Sequence, residues 1–315
     1  MKNKKIIIAG GTGFIGQSLV QYFGAENDII VLCRHPKESH HRTTYVRWDG
    51  HSAGPWVPLL EGADLLINLA GKSVNCRYTA ANKQAIFDSR RESTQALGNA
   101  VQQLQNPPAV WINAASATIY RHAMDRPMDE ASGEMHNDFS VQVCKLWEQT
   151  FNDITVPHTR KVILRIAITL GAENGGVMGP YLNLVKWALG GHQGSGQQMY
   201  SWVHIDDICR MIAWAYENPQ VEGVYNCASP HPVTNRNFMQ TLRATTGNRL
   251  GLPAPAWLLK IGAALIGTET ELLLKSRWVI PARALAAGYQ FKYPDLKPAL
   301  VDIIRQLPRR RYHLF

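Results

Sequence analysis

Short apolar runs alternate with amphipathic stretches through the first half of the chain. Continuous apolar runs are typical of buried parallel strands, and apolar residues that recur every three or four positions are typical of helices. The predicted strands are residues 6–9, 29–33, 44–48, 63–69, 110–114 and 162–170. The predicted helices are residues 14–23, 80–104 and 142–151. Strands and helices that alternate in this way predict an α/β protein with a doubly wound parallel sheet.

The first strand runs directly into a turn that is rich in glycine. Glycine permits a tight turn, a close approach of the backbone to a pyrophosphate and close packing of the following helix, whose N-terminus can bind the phosphates. The second strand completes a β-α-β unit within about 30 residues, as a dinucleotide site requires. The pattern G-x-G-x-x-G therefore predicts a Rossmann-type site. Its residues are Gly10, Gly11, Thr12, Gly13, Phe14, Ile15 and Gly16.

The end of the second strand indicates which dinucleotide is bound. A site for NAD usually has Asp or Glu there to hold the ribose 2′-hydroxyl, whereas a 2′-phosphate requires cations. This chain has Cys33 and Arg34 at that position. The planar guanidinium of Arg34 suits a phosphate, so the sequence favours NADP(H). The alternative interpretation is a solvated surface arginine.

Beyond residue 171 the pattern changes to glycine-rich loops and proline clusters between short amphipathic segments. In an open α/β sheet the ligand lies beyond the carboxyl ends of the strands, so these late segments can form the substrate side of that crevice. We therefore expect an NADP(H)-binding domain over residues 1–170, to which later segments return. A smaller, mixed substrate domain is expected over residues 171–315.

Composition argues against several other classes of protein. The 315 residues, 45% of them apolar, can bury a large core. The apolar stretch 253–267 is too short for a membrane span, and the N-terminus does not resemble a signal peptide. The five cysteines lack the spacing of a metal site or a disulfide framework, and the net charge of +9 is spread out except in the tail, which argues against nucleic-acid binding. We expect a soluble, cytoplasmic protein with a small-molecule substrate.

Four motifs follow one another along the chain: Gly-Gly-Thr-Gly-Phe-Ile-Gly at 10–16, Asn-Leu-Ala-Gly at 68–71, Ala-Ser-Ala-Thr-Ile-Tyr at 115–120 and Trp-Val-His-Ile-Asp-Asp at 202–207. Together they resemble the extended short-chain dehydrogenase/reductases, which include the sugar-nucleotide epimerases and dehydratases. More narrowly, the chain resembles the "epimerase family" branch, which has its own C-terminal segment, here residues 249–296. The resemblance implies that NADP(H) is bound through the glycine turn and through Cys33, Arg34, Leu69, Ala70, Gly71 and Arg90.

The helix that should carry the active site lacks the residues of the superfamily. There, a tyrosine and a lysine four residues later share one helical face, and a serine hydrogen-bonds the reacting oxygen. Aligning Phe139 with the tyrosine puts Val143 at the lysine position. Aligning Lys145 with the lysine puts Val141 at the tyrosine position. Neither register restores the pair.

Two residues outside that helix are the candidate catalytic groups. Ser116 matches the superfamily's serine, where its hydroxyl could reach a substrate oxygen; the alternative is a hydroxyl that bonds local backbone. Tyr120 is the nearest phenol and could replace the missing acid; the alternative is a packed, half-buried tyrosine. The sequence thus supports two functions. One is an NADP(H)-dependent oxidoreductase or epimerase acting on a small polar, possibly nucleotide-linked substrate, and the other is a non-catalytic NADP(H)-binding sensor or regulatory protein.

Overall fold

The computed structural model describes residues 1–259, 269 and 271–314. The strands in this part of the chain are β1 (Lys5–Ala9), β2 (Asp28–Cys33), β3 (Thr43–Arg47), β4 (Leu65–Asn68), β5 (Val110–Ser116), β6 (Arg160–Ile166), β7 (Ile168–Leu170), β8 (Met199–Tyr200), β9 (Trp202–His204), β10 (Gly223–Cys227) and β11 (Val233–Thr234). Residues 260–268 and 270, which belong to the predicted segment 249–296, lie outside the described residues, as does residue 315.

The central sheet is parallel and has the strand order β10-β6-β5-β4-β1-β2-β3. The chain builds outward from β1 to β3, then returns to the middle and builds in the other direction from β4. The order therefore reverses between β1 and β4, and ligands of open α/β sheets bind beyond the carboxyl ends of the strands at such a point. Most of the predicted site residues lie at this same edge, at or just after the ends of β1, β2, β4 and β5, whereas Arg90 lies on the helix that follows β4.

The helices in the described part of the chain are α1 (Phe14–Phe23), α2 (Ala80–Val101), α3 (Phe139–Asp153), α4 (Met178–Lys186), α5 (Ile205–Glu217), α6 (Asn235–Thr246), α7 (Glu271–Leu274), α8 (Ala282–Ala286) and α9 (Leu296–Arg305). Four of them, α1, α2, α3 and α5, cover the two faces of the sheet. One core, with Ile6 and Ile8, lies under α1 and α5, and a second, with Ile7 and Ala9, lies under α2 and α3. Successive residues of β1 thus enter opposite cores, as strand geometry requires. The predicted Rossmann-type, doubly wound sheet is confirmed.

A third apolar core holds together a smaller C-terminal region. It is built from α4, α6 and α9 and from two small sheets, β8 with β11 and β7 with β9. Buried aromatic residues lie at its centre, among them Tyr181, Tyr200 and Phe238. This region matches the smaller mixed unit expected beside the sheet. None of the described helices is both long and apolar enough to cross a bilayer.

The prediction of one strand over residues 162–170 is wrong. The chain leaves the central sheet at Ala167, whose N–H still donates to Cys227 O at 3.0 Å. The next N–H, of Ile168, donates to Ser201 O at 3.2 Å, and β7 then pairs with β9. The apolar pattern is the same on both sides of this residue, because each half is buried against a different neighbour. Local periodicity cannot show a change of partner strand.

Candidate cofactor and substrate site

Three glycines of the turn after β1 stand where a side chain would collide with neighbouring atoms. Gly10 has a φ of 77°, and a Cβ atom there would lie 2.9 Å from Ala70 N. A Cβ atom at Gly16 would lie 2.4 Å from Gly11 Cα, so α1 packs directly against the turn. A Cβ atom at Gly11 would meet the Ile8 side chain at 2.9 Å. These three glycines are therefore required by packing alone.

Gly13 differs from those three because a Cβ atom there would collide with no neighbouring atom of the described residues. It is exposed, and the nearest atom to a Cβ placed there is Gly10 O at 3.7 Å. Gly13 is also the N-cap of α1, and no side chain among the described residues caps this helix end. The first-turn N–H groups near Thr12 and Phe14 are thus left for another acceptor, and an anion is the partner that a helix N-terminus favours. Ile15 is half-buried beside them.

Cys33 and Arg34 at the end of β2 have different environments. The Cys33 side chain is buried, and burial raises the pKa of its thiol, so it can contribute backbone but not a charged sulfur. The Arg34 side chain is exposed and has no hydrogen bond or ion pair within the described residues. No acidic residue stands at this strand end. The end of β2 therefore presents an exposed guanidinium, that of Arg34, which is available to bind a phosphate.

A buried amide fixes the loop after β4. Asn68 Nδ2 donates to Asn113 Oδ1 at 2.8 Å, and Asn68 Oδ1 accepts from Ala70 N at 3.0 Å. Leu69 and Ala70 are half-buried, whereas Gly71 is exposed. Sequence reasoning missed the part played by Asn68 and Asn113. The signal was present, since each is a polar residue inside an apolar strand and their positions pair in register.

Arg90 supports the same loop from α2. Its Nη1 donates to Lys72 O at 3.0 Å and to Ile86 O at 3.1 Å, and its guanidinium lies 5.0 Å from the Trp147 ring centroid. A Cβ atom at Gly71 would lie 3.3 Å from the Arg90 side chain. Burial lowers the pKa of Arg90. The structure therefore brings Arg90 against the predicted cofactor loop, with a cation directly behind Gly71.

Ser116 ends β5 at the predicted edge of the sheet. It is half-buried, and its Oγ accepts from Thr118 N at 3.2 Å, which caps a short 3-10 helix at Ala117–Ile119. A hydroxyl both accepts and donates, so this local bond still leaves the Ser116 proton for a substrate oxygen. The local hydrogen bond of the alternative interpretation is therefore present. It uses the Ser116 oxygen only as an acceptor, so the hydroxyl can still donate its proton.

Tyr120 lies in a buried polar cluster that argues against its predicted role as proton donor. The side chain is 1% exposed, its hydroxyl donates to Asn226 Oδ1 at 3.0 Å, and it accepts from Arg165 Nη1 at 2.7 Å. Arg165 in turn forms a two-point ion pair with Glu148, both contacts at 2.7 Å. Burial raises the pKa of Tyr120, so the phenol stays protonated. Its single proton is already donated inside the protein.

Helix α3 carries no tyrosine and lysine on one face, as expected. The Phe139 ring packs against Tyr78 and Phe87, with centroids 4.7 and 5.4 Å away. Val143 is buried, and the exposed Lys145 donates to His136 O at 2.9 Å.

The structure instead brings a lysine from the C-terminal segment to this helix. Lys275 Nζ lies 2.9 Å from Asp138 Oδ2 and 3.4 Å from Ser140 Oγ. Sequence reasoning missed Lys275 because 135 residues separate it from Ser140 and no local motif marks it.

Comparison with known proteins agrees with this geometry. The model of the "NAD dependent epimerase/dehydratase family" matches residues 6–228, which include β1 from its second residue, β2 to β10 and every predicted site residue. The chain belongs to this family. A second model, of a domain of unknown function (DUF1731), matches residues 254–303.

Relatives in the family are similar over almost their whole length. The chain is 32% identical over 305 residues to epimerase family protein SDR39U1 of Homo sapiens, covering 95% of this chain and 99% of that protein. It is 32% identical over 302 residues to epimerase family protein YfhF of Bacillus subtilis, covering 95% and 97%. A crystal structure of human SDR39U1 (isoform 2) with NADPH superposes with a TM-score of 0.86, at 31% identity and over 96% of this chain and 100% of that one.

More distant solved structures share the fold. A UDP-N-acetylglucosamine 4-epimerase from Bacillus cereus superposes with a TM-score of 0.73 at 18% identity, covering 97% of this chain and 98% of that one.

Proposed function

We propose that this protein is an NADP(H)-dependent oxidoreductase or epimerase-like enzyme that acts on a small polar, possibly nucleotide-linked substrate. The observation that carries the proposal is the open, uncapped turn at Gly13 together with the available guanidinium of Arg34. The crystal structure of the human relative with NADPH supports the choice of cofactor.

The residues after three strands fit the parts of a dinucleotide. The turn 10–16 would hold the pyrophosphate, because its outer side is open and the N–H groups of α1 point there. Arg34 would hold the 2′-phosphate, with Cys33 contributing backbone. Leu69, Ala70 and Gly71 would line the other side of the crevice, where Arg90 supports them. When bound, NADPH supplies a hydride at its nicotinamide ring.

Ser116 is the residue that we assign to the substrate. Its hydroxyl lies at the carboxyl end of β5 and keeps a proton that can be donated to a substrate oxygen. This bond would polarise a carbonyl or orient a hydroxyl at the reacting carbon. Because the phenol of Tyr120 is committed to Asn226, we assign the final proton transfer to water at the site. The smaller C-terminal region would form the substrate side, as predicted for residues 171–315.

A cytoplasmic location is part of the proposal. The five cysteines are free thiols, which is typical of a reducing compartment.

A second candidate function is a non-catalytic NADP(H)-binding sensor or regulatory protein. The packing of Phe139 against Tyr78 and the burial of Val143 favour it, because these residues occupy the helix that carries the chemistry in the superfamily. This alternative keeps the cofactor assignments and removes turnover.

Two measurements test the proposal. Arg34→Gln should weaken NADPH binding by about 10- to 100-fold while leaving NADH binding unchanged, since a charge-assisted contact contributes about 1.5–3 kcal/mol. Arg305→Gln, an exposed arginine on α9, is the control with the same change in charge. Equal loss for both dinucleotides would refute the 2′-phosphate assignment. Stereospecific transfer of deuterium from labelled NADPH to a metabolite in a cell extract would exclude the sensor, and no transfer would favour it.

A further inference from the structure

The C-terminal segment 275–280 lies between two other parts of the chain and bonds to both. On one side it contacts the loop 122–128 that follows the Ser116 turn, and on the other it contacts residues 199–201 of the smaller region. The backbone bonds run from Met128 N to Trp278 O (2.7 Å), from Ile280 N to Met128 O (3.0 Å), from Arg277 N to Met199 O (2.8 Å) and from Ser201 N to Arg277 O (3.0 Å). The segment therefore joins the loop that follows β5 to the smaller region.

Two cationic side chains of this segment converge on Thr118. Lys275 Nζ lies 3.4 Å from Thr118 O, and Arg277 Nε donates to Thr118 Oγ1 at 3.2 Å. Thr118 N is the donor to Ser116 Oγ. The residue held by the two cations is thus the one that fixes the Ser116 hydroxyl. Lys275 and Arg277 are 6% and 7% exposed, so these contacts are shielded from water.

Lys275 also ties the Ser116 turn to the start of α3. Its ammonium bonds to Asp138, and Asp138 Oδ1 caps the helix by accepting from Val141 N at 3.1 Å. The same ammonium lies 3.7 Å from Glu271 Oε1. One buried lysine therefore connects the turn after β5, the first turn of α3 and the C-terminal segment.

The charges around Lys275 show how it acts. Asp138 and Glu271 supply two carboxylates against one ammonium, as a buried lysine requires. Both carboxylates lie within 4 Å of the ammonium, so Lys275 is held in a buried ion pair. Its hydrogen bonds are directional and fixed, and they hold the turn in place.

We propose that segment 275–280 is part of the substrate site and that Lys275 is a positioning residue for Ser116. The inference rests on the proposed function, because it assigns the segment to the same site. It gives the segment matched by the domain of unknown function a role in building the substrate side of the crevice. The glycine turn makes no contact with Lys275, so cofactor binding should not depend on this residue.

The experiment compares full-length Lys275→Met with Lys275→Arg and with Lys292→Met. Lys292 pairs with Asp206 at 2.6 Å, and this ion pair does not involve the Ser116 turn. Three quantities are measured: amide hydrogen exchange over residues 117–123, the NADPH dissociation constant, and kcat for reduction of 9,10-phenanthrenequinone by NADPH. For K275M we expect exchange about tenfold faster and kcat about 10- to 100-fold lower, with NADPH binding unchanged. K275R should restore most of both, and K292M should match the wild type.

The outcomes separate the inference from the proposed function. If the wild type does not reduce the quinone, the proposed carbonyl chemistry fails for this probe, while the exchange data still decide the inference. Unchanged exchange over 117–123 in K275M, or an equal increase in K292M, would overturn it. If K275M does not fold, Asp138→Asn, which removes the charge that pairs with Lys275 but keeps an oxygen to cap α3, carries the same expectation at a smaller size.

Discussion

A methyl group added at Gly13 should weaken NADPH binding, whereas one added at Gly16 should lower the stability of the fold. The two substitutions therefore separate cofactor binding from folding. At Gly13 a Cβ atom would make an ordinary van der Waals contact, 3.7 Å from its nearest neighbour, Gly10 O. At Gly16 it would lie 2.4 Å from the Cα atom of Gly11, which is backbone that cannot rotate away. Gly13→Ala is therefore a binding variant, and Gly16→Ala is a folding variant.

The expected magnitudes follow from these distances. In Gly13→Ala, a poorer N-cap costs about 0.5–1 kcal/mol of unfolding free energy, and the stiffer unfolded chain returns about 0.4–1 kcal/mol, so stability should change little. NADPH binding should fall by about 10- to 100-fold, because the methyl group separates the pyrophosphate from the N–H groups of α1. In Gly16→Ala, the collision requires α1 to shift, which costs about 1–3 kcal/mol.

Urea unfolding and fluorescence titration with NADPH measure the two quantities. Gly54→Ala is the control, because its Cβ atom would make an ordinary 3.4 Å contact with Trp56 outside the turn. Wild-type affinity for NADPH in Gly13→Ala would refute the assignment of the pyrophosphate to this turn. A loss of stability in Gly13→Ala as large as in Gly16→Ala would refute the packing argument.

Three further expectations concern buried groups. Tyr120→Phe should lower the free energy of unfolding by about 1–3 kcal/mol, because Arg165 loses a buried partner. Hydride transfer from NADPH should stay unchanged. A large loss of turnover at unchanged stability would instead identify Tyr120 as the acid. Burial lowers the pKa of His204 below 6.5, so the unfolded chain binds more protons than the folded protein. The free energy of unfolding should therefore fall as the pH drops below 6.5. His204→Asn keeps an N-cap acceptor and should flatten that slope in urea titrations. Cys76 is the half-buried thiol, and in the native protein it should react with a thiol reagent before the buried cysteines.

Local signals in the sequence were sufficient for the first part of the site. The strand, the glycine turn and α1 are consecutive, so periodicity and glycine spacing describe the whole β-α-β unit without knowledge of distant contacts. Predicted helix bounds differed where a cap acts: residues 142–151 became α3 from Phe139, because the Asp138 carboxylate accepts from Val141 N.

The contacts on the substrate side could not be predicted from local signals in the sequence. Tyr120 has its partners at Arg165 and Asn226, and Lys275 has one at Asp138, which are 45, 106 and 137 residues away. Burial and hydrogen bonding of such side chains depend on tertiary packing. A sequence pattern shows which chemical groups are present, but it does not show which of them are already bonded to one another.

The position of segment 275–280 also bears on the order of events during synthesis. Lys275 is made 157 residues after Thr118, which it contacts, whereas the glycine turn and its neighbours are made first. At about 5–20 residues per second, translation needs about 8–30 s to cover that interval. A nascent chain can therefore form its cofactor half well before the Ser116 turn is secured. We expect chains that end before residue 275 to retain the glycine turn and to lack a completed substrate half.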